Sequence, residues 1–87
     1  MESKRSNMEL YLDILRVVNE GSHKPTRIMY ASNLSWRPLM KRLESLANQG
    51  LISEDKRGKH ALYNITSRGK KVLQYFDQAM KLIEVEI

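Results

Sequence analysis

The chain has 87 residues, with 15 Lys and Arg against 10 Asp and Glu, a net charge of +5. This length allows one compact domain and excludes an enzyme whose cleft lies between two domains. Cysteine is absent, which excludes disulfides and thiolate metal sites and is typical of an intracellular protein. No run of about eighteen apolar residues occurs and no apolar segment follows the N-terminus, so we expect neither a transmembrane helix nor a signal peptide.

The positive charge is concentrated in the middle of the chain. Residues 24–71 carry eleven basic and three acidic residues, a net charge of +8. Residues 1–23 carry a net charge of −1, and residues 72–87 carry −2. Clustered charge of this kind favours a polyanionic partner, because a local excess of bases concentrates anions at one surface.

The first predicted element is a helix from about Asn7 to Glu20 that ends at Gly21. Ser6 and Glu9 have the spacing of a capping box. Apolar residues then recur on one helical face: Leu10, Tyr11, Ile14, Val17 and Val18. Further leucines lie outside that face, so this helix has more apolar surface than one core contact requires.

A second, short helix is predicted from about Lys24 to Ala31. Pro25 suits its first turn, where a missing N–H costs nothing. Asn33-Leu34-Ser35 predicts a turn that ends in a helix N-cap.

The third helix begins at Trp36 and ends at Gly50, and it has the clearest amphipathic pattern. Its apolar face consists of Trp36, Leu39, Met40, Leu43, Leu46 and Ala47. Its polar face consists of Arg37, Lys41, Arg42, Ser45 and Asn48. On this pattern we expect Trp36 to anchor the helix in the core, as a lone tryptophan on an apolar face usually does.

A β-hairpin and a long helix complete the pattern. Leu51–Ser53 and Ala61–Ile65 are predicted strands, and Glu54–His60 is the predicted loop between them. Thr66 caps a last helix that runs from about Ser67 to the C-terminus. Two short helices joined by a tight turn, followed by a basic hairpin, predict a mainly α fold with a small hairpin: a winged helix-turn-helix with a long C-terminal helix.

Four segments between Thr26 and Leu73 carry a family resemblance: Thr26-Arg27-Ile28-Met29-Tyr30, Asn33-Leu34-Ser35, Gly50-Leu51-Ile52, and Tyr63-Asn64-Ile65-Thr66-Ser67-Arg68-Gly69-Lys70-Lys71. The chain resembles the small archaeal winged-helix DNA-binding proteins of about 10 kDa, the mass of this chain. Proteins of that family dimerise through a C-terminal antiparallel coiled coil. The resemblance implies a homodimer that binds duplex DNA in transcriptional control or chromosome organisation, in the cytoplasm at the nucleoid.

The basic residues of the third helix and the hairpin are the candidate DNA contacts. Arg37 and Lys41 lie one turn apart on a face that can enter a major groove. The bases around Gly58 have the profile of a wing that touches backbone phosphates. The alternative is that these are ordinary solvated faces. The full candidate set is Lys24, Arg27, Ser35, Arg37, Lys41, Arg42, Ser45, Lys56, Arg57, Lys59 and His60.

The last helix is a candidate dimer interface. An apolar series with spacings of 3, 4, 3 and 4 has the rhythm of a coiled coil: Leu73, Phe76, Met80, Ile83 and Ile87. A helix of about 30 Å extends beyond so small a domain, so its far half needs another surface, to which we expect Leu12 or Leu15 of the first helix to contribute. The alternative is packing within its own chain. Residues 1–66 are therefore expected to form the DNA-binding domain, and residues 67–87 a dimerisation helix in the same compact unit.

Other classes of function have little support in the sequence. Two histidines without ligand spacing predict no metal site, and no cofactor loop or catalytic constellation is present. The four tyrosines are dispersed, which disfavours a single-strand binder. We expect no enzyme activity, no cofactor, no small-molecule ligand and no membrane contact. The main hypothesis is a homodimer that binds double-stranded DNA, and the alternative is a winged-helix protein-interaction module without DNA binding.

Overall fold

The computed structural model describes residues 5–83. In chain order the elements are α1 (Asn7–Asn19), α2 (Pro25–Ser32), α3 (Trp36–Asn48), β1 (Ile52–Arg57), β2 (His60–Ile65) and α4 (Ser67–Leu82). This is the mainly helical winged helix that the sequence predicts. Within the described residues no helix is long and apolar enough to cross a membrane.

The predicted capping box at the start of α1 is confirmed. The Ser6 hydroxyl accepts a hydrogen bond from the Glu9 amide at 3.1 Å, and the Glu9 carboxylate accepts one from the Ser6 amide at 2.8 Å. This amide bond lowers the pKa of Glu9, because it favours the charged carboxylate. After α2, Asn33 adopts the left-handed conformation (φ 58°) and turns the chain toward α3.

The core lies where the first three helices meet the hairpin and the start of α4. Its members are Leu12, Ile14, Leu15, Val18, Ile28, Leu39, Leu43, Leu46, Ile52, Tyr63 and Leu73. The expectation that Trp36 belongs to this core is wrong, since 46% of its surface is exposed. Trp36 occupies the first turn of α3, and the buried face of that helix begins one turn later at Leu39.

The hairpin is longer and more regular than predicted. The strands pair antiparallel from Ile52 opposite Ile65 to Arg57 opposite His60. Gly58 and Lys59 alone form the turn, with Gly58 in the left-handed conformation (φ 62°). Most of the predicted seven-residue loop is therefore strand. The apolar pattern missed it because β1 is exposed from Ser53 to Arg57 and is held there by backbone pairing with β2.

The first turn of α4 is locked to the start of β1. The Thr66 hydroxyl accepts from the Gly69 amide at 3.0 Å and donates to the Gly50 carbonyl at 2.7 Å. The Thr66 amide donates to the Leu51 carbonyl at 3.2 Å. Gly69 is buried, and a Cβ added there would overlap the Leu51 carbonyl oxygen. These contacts explain the Thr-x-x-Gly spacing of the sequence.

The last helix is shorter than predicted. α4 has 16 residues, a length of about 24 Å at 1.5 Å per residue. It ends at Leu82, and the following residue, Ile83, is extended. The predicted helix to the C-terminus includes Ile87, which lies outside the described residues.

Candidate nucleic-acid interface

The turn that presents α3 is braced from the N-terminal segment. The Arg5 guanidinium donates to the carbonyl oxygens of Ser32 and Asn33, at 2.8 and 3.0 Å. It also pairs with Asp13 of α1 at 2.9 Å. The buried Ser32 hydroxyl donates to the Ile28 carbonyl at 2.6 Å. Arg5 thus joins the end of α2 to α1 and pairs carbonyls that the helix end leaves without partners. The turn that leads into α3 is held in place by these bonds.

A groove of about 480 Å³ lies between α3 and β1, and we call it the α3–β1 groove. It is lined by Met40, Lys41, Leu43, Glu44, Ala47, Asn48, Glu54, Lys56 and Tyr63. Two cations and two carboxylates thus line the same groove, one of each from α3 and one of each from β1: Lys41, Glu44, Glu54 and Lys56. Arg37 is exposed one helical turn before Lys41 on the polar face of α3.

Tyr63 fixes one of these carboxylates. Its side chain is buried, and its hydroxyl donates to the Glu54 carboxylate at 3.0 Å. Burial, together with this hydrogen bond and the charge of Glu54, raises the pKa of Tyr63 to about 12. The phenol therefore stays protonated at neutral pH and continues to donate to Glu54.

A second cleft, of about 540 Å³, lies where the start of α2 meets the hairpin, and we call it the Trp36 cleft. Its lining residues are Lys24, Pro25, Thr26, Trp36, Lys59, His60, Ala61 and Leu62. The cleft is held together below its surface by His23. The Tyr63 amide donates to the His23 carbonyl at 2.9 Å, and His23 Nδ1 lies 2.8 Å from the Tyr63 carbonyl oxygen.

Arg42 does not join the other predicted DNA contacts. Its guanidinium donates to the Pro38 carbonyl and to Asn7 Oδ1, each at 3.0 Å. It also lies 5.9 Å from the centroid of the Tyr11 ring. Arg42 therefore packs against α1. Ser45 is half-buried, and its hydroxyl accepts from the Gln49 side chain at 3.0 Å.

The other candidates are exposed. The Arg57 side chain pairs with Asp55 at 3.0 Å and lies across the hairpin from His60. Ser35 is the N-cap of α3, and its hydroxyl makes no capping bond. Six of the cations form no ion pair with any carboxylate of residues 5–83: Lys24, Arg27, Arg37, Lys41, Lys56 and Lys59. Their charge is therefore available to a partner.

The predicted dimer residues fall into two groups. Leu12 and Leu73 are only 8% and 5% exposed, because the core of their own chain already covers most of their surface; their part in an interface between subunits stays a prediction. Phe76 is half-buried, whereas Met80 and Ile83 are 56% and 57% exposed. Within residues 5–83 no group of three His, Asp or Glu side chains is placed to hold a metal ion.

Sequence reasoning missed three residues of this surface. Trp36 was assigned to the core, and Glu44 and Glu54 were not considered as groove residues. The sequence does contain one indication that Trp36 is exposed: it lies one turn before Leu39, the first buried residue of α3. The carboxylates gave none, because only the packing of α3 against β1 brings them together.

Comparison with known proteins agrees with this architecture. An uncharacterised protein of Methanocaldococcus jannaschii is 39% identical over 69 residues, which cover 79% of this chain and 67% of that protein. The crystal structure of Sso10a-2, a DNA-binding protein from Sulfolobus solfataricus, superimposes with a TM-score of 0.76 at 26% identity, covering 90% of this chain and 81% of that one.

A second solved structure matches in fold alone. The transcriptional regulator BldR from Sulfolobus solfataricus gives a TM-score of 0.72 at 17% identity, over 83% of this chain and about half (54%) of BldR. A family model described as winged helix-turn-helix matches residues 4–84. That match covers nearly the whole chain, and the chain belongs to the winged helix-turn-helix family.

Proposed function

We propose that this chain binds double-stranded DNA as a homodimer, in transcriptional control or chromosome organisation. The observation that carries the proposal is the pair of clefts on either side of the hairpin, each bordered by exposed cations from separate elements. Lys41 and Lys56 line one cleft, and Lys24 and Lys59 line the other. The described DNA-binding activity of Sso10a-2 supports the same function here.

The cations of the proposed interface come from three parts of the chain and form no ion pair with a carboxylate of residues 5–83. They lie at the start of α2, on α3 and on the hairpin: Lys24, Arg27, Arg37, Lys41, Lys56 and Lys59. Unpaired surface cations repel one another, so their clustering costs stability unless an anion neutralises them. Duplex DNA supplies such anions at a regular spacing.

We assign different roles to α3 and to the hairpin. α3 is an exposed helix whose outer face carries Arg37 and Lys41 one turn apart, and a helix of this kind fits a major groove. Arg37 then reads a guanine edge. The hairpin carries Lys56 on β1 and Lys59 in its two-residue turn, where they bind phosphates without reading sequence.

The homodimer is proposed from the far half of α4. Gly69, Leu73 and Phe76 face the domain, and the same apolar stripe continues into the exposed Met80 and Ile83. All residues from Asp77 to Ile83 are exposed. A helical end of this kind has little stability by itself in water, so a second copy of the chain is expected to cover it.

A neighbouring apolar groove extends this surface. It lies between α1 and α4, has a volume of about 340 Å³, and includes Met8, Tyr11, Val72 and Phe76 in its lining. Met8 is more than half exposed. The groove is continuous with the exposed stripe through Phe76, so Met80 and Ile83 of a second copy can bury their surface there.

Salt dependence tests DNA binding. Dissociation constants are measured by fluorescence anisotropy with a labelled random duplex at several salt concentrations. With Arg42 assigned to the fold, the remaining cations of two subunits still reach about 6 to 10 phosphates, which predicts a log–log slope of roughly −5 to −9. Lys56→Gln should make the slope shallower by about 2 per dimer.

Lys81→Gln is the matched control, because Lys81 is also exposed but lies in the last turn of α4. It should leave the slope unchanged. Absence of binding at low salt would reject the proposal and favour the protein-interaction module. Equal effects of the two lysine substitutions would reject the role of the hairpin.

Sedimentation tests the dimer. Ile83→Glu would bury an unpaired charge in the proposed interface, at a cost of several kcal/mol, so the wild type should sediment as a dimer and the variant as a monomer. Gln78→Glu adds the same charge to the polar face of α4 and should leave the dimer intact. A monomeric wild type at high micromolar concentration would refute the interface.

A further inference from the structure

Trp36 is the only tryptophan of the chain, and nearly half of its surface is exposed. Tryptophan carries the largest apolar surface of any side chain, so leaving it in water is costly. The apolar groove proposed for the dimer shares no lining residue with the Trp36 cleft. The proposed second copy therefore does not account for the exposure of Trp36.

The Trp36 cleft combines apolar and cationic surfaces. Pro25, Ala61 and Leu62 are half-buried, whereas Lys24, Lys59 and His60 are exposed around them. Among the lining residues there is no carboxylate. The α3–β1 groove differs, because two glutamates border it. A ligand for the Trp36 cleft therefore has an apolar part beside negative charge.

A DNA strand has this alternation along its backbone, where each apolar deoxyribose lies between two phosphates. We propose that the Trp36 cleft holds the sugar-phosphate backbone of one strand, with the indole packed on a deoxyribose and Lys24 and Lys59 on the neighbouring phosphates. This inference rests on the proposed function and assigns a contact residue beyond the basic side chains. It also makes the start of α3 a backbone contact, leaving Arg37 and Lys41 for the bases.

The fluorescence of the lone tryptophan reports directly on the cleft. The experiment follows quenching of the Trp36 emission by acrylamide while the anisotropy of a labelled duplex reports binding. DNA at saturation should lower the quenching constant about twofold, because about half of the exposed indole surface is covered. The change should have the same midpoint and salt dependence as the anisotropy.

The two signals separate the two proposals. Binding by anisotropy with unchanged quenching of Trp36 would overturn the cleft assignment and leave DNA binding standing. Absence of an anisotropy change would overturn both. Protection of Trp36 by an added protein without any response to DNA would also overturn both, in favour of a protein-docking cleft.

Affinity of variants gives an independent test. Covering half of the exposed indole removes roughly 60 Å² of apolar surface from water, equivalent to about a tenfold change in Kd. Trp36→Ala should therefore weaken binding about tenfold for each subunit that contacts the DNA, and Trp36→Phe much less. Tyr30→Ala is the matched control, because Tyr30 is an exposed aromatic of α2 outside the cleft.

Tyr30→Ala should leave the affinity within about twofold of the wild type, since no comparable surface is covered there. Equal losses for Tyr30→Ala and Trp36→Ala would overturn the assignment. Circular dichroism of each variant establishes that it is folded. Should Trp36→Ala fail to fold, Trp36→Phe and the quenching of the wild type still decide the question.

Discussion

Arg37 and Arg42 form a matched pair that tests how α3 is used. Both are arginines of the same helix, five residues apart, and the sequence pattern places both on its polar face. The structure separates them: Arg37 is exposed without an ion pair among the described residues, and Arg42 is half-buried against α1. Arg37→Ala should therefore change DNA binding, whereas Arg42→Ala should change the stability of the fold.

The magnitudes follow from the contacts. Arg37→Ala should cost about 1 to 3 kcal/mol of DNA-binding free energy, roughly 5- to 150-fold in Kd at the preferred site, and relax the sequence preference. Arg42→Ala removes the bonds to Pro38 and Asn7, at about 0.5 to 1.5 kcal/mol each. It also removes a contact with the Tyr11 ring, worth about 0.5 to 1 kcal/mol.

One feature of Arg42 offsets part of that loss. Its Nε is buried without a hydrogen-bond partner, and removing an unsatisfied group recovers about 1 kcal/mol or more. The net destabilisation is therefore about 0.5 to 3 kcal/mol. At about 4 to 8 °C per kcal/mol for a domain of this size, the Tm should fall by roughly 2 to 24 °C.

The assays are thermal unfolding followed by circular dichroism, and anisotropy titrations with a panel of duplexes. Arg37→Ala should keep the wild-type Tm and lose affinity, whereas Arg42→Ala should keep the affinity and lose Tm. The reasoning fails if Arg42→Ala weakens DNA binding as much as Arg37→Ala while its Tm is unchanged. It also fails if Arg37→Ala binds every duplex as the wild type does.

Two further predictions concern stability. Gly69→Ala should destabilise the fold by about 1 to 3 kcal/mol in urea unfolding, because the new Cβ overlaps the Leu51 carbonyl; Gly58→Asn, at a left-handed turn with open space, should be close to neutral. Folding raises the pKa of Tyr63 from 10 to about 12. The protonated phenol therefore adds its full contribution to the free energy of unfolding below about pH 10, and that contribution is lost as the pH rises toward 12. Tyr63→Phe should abolish the component of the phenolate absorbance titration near pH 12, and an unchanged titration would contradict the burial of this phenol.

Local patterns predicted the helices well because each has its own signal. Ser6 with Glu9 marked the start of α1, Pro25 marked α2, and the spacing of Leu39, Leu43 and Leu46 marked α3. These signals operate within one or two turns, so they do not depend on tertiary contacts. The hairpin has a weaker local signal, because the outer residues of β1 are all exposed and the strands are defined by pairing with each other.

The candidate site was less predictable than the helices, because it depends on how whole elements pack against each other. An amphipathic pattern separates the inner from the outer face of α3, but it does not say which neighbour covers each flank. Arg42 lies on the flank beside α1 and Lys41 on the flank beside β1. Adjacent residues with similar side chains thus have different roles, and only the packing of whole elements decides which is which.

The anchoring of α4 connects the proposed DNA binding with the proposed dimer formation. Its first turn is fixed to β1 through Thr66 and Gly69, and its last turns carry the exposed apolar stripe. A rigid helix thus runs from the base of the hairpin to the proposed dimer interface. In a two-fold dimer the crossing of two such helices would fix the distance between the two hairpins, and hence between the two copies of α3. The interface at Met80 and Ile83 would therefore set the half-site spacing from outside the proposed DNA contacts.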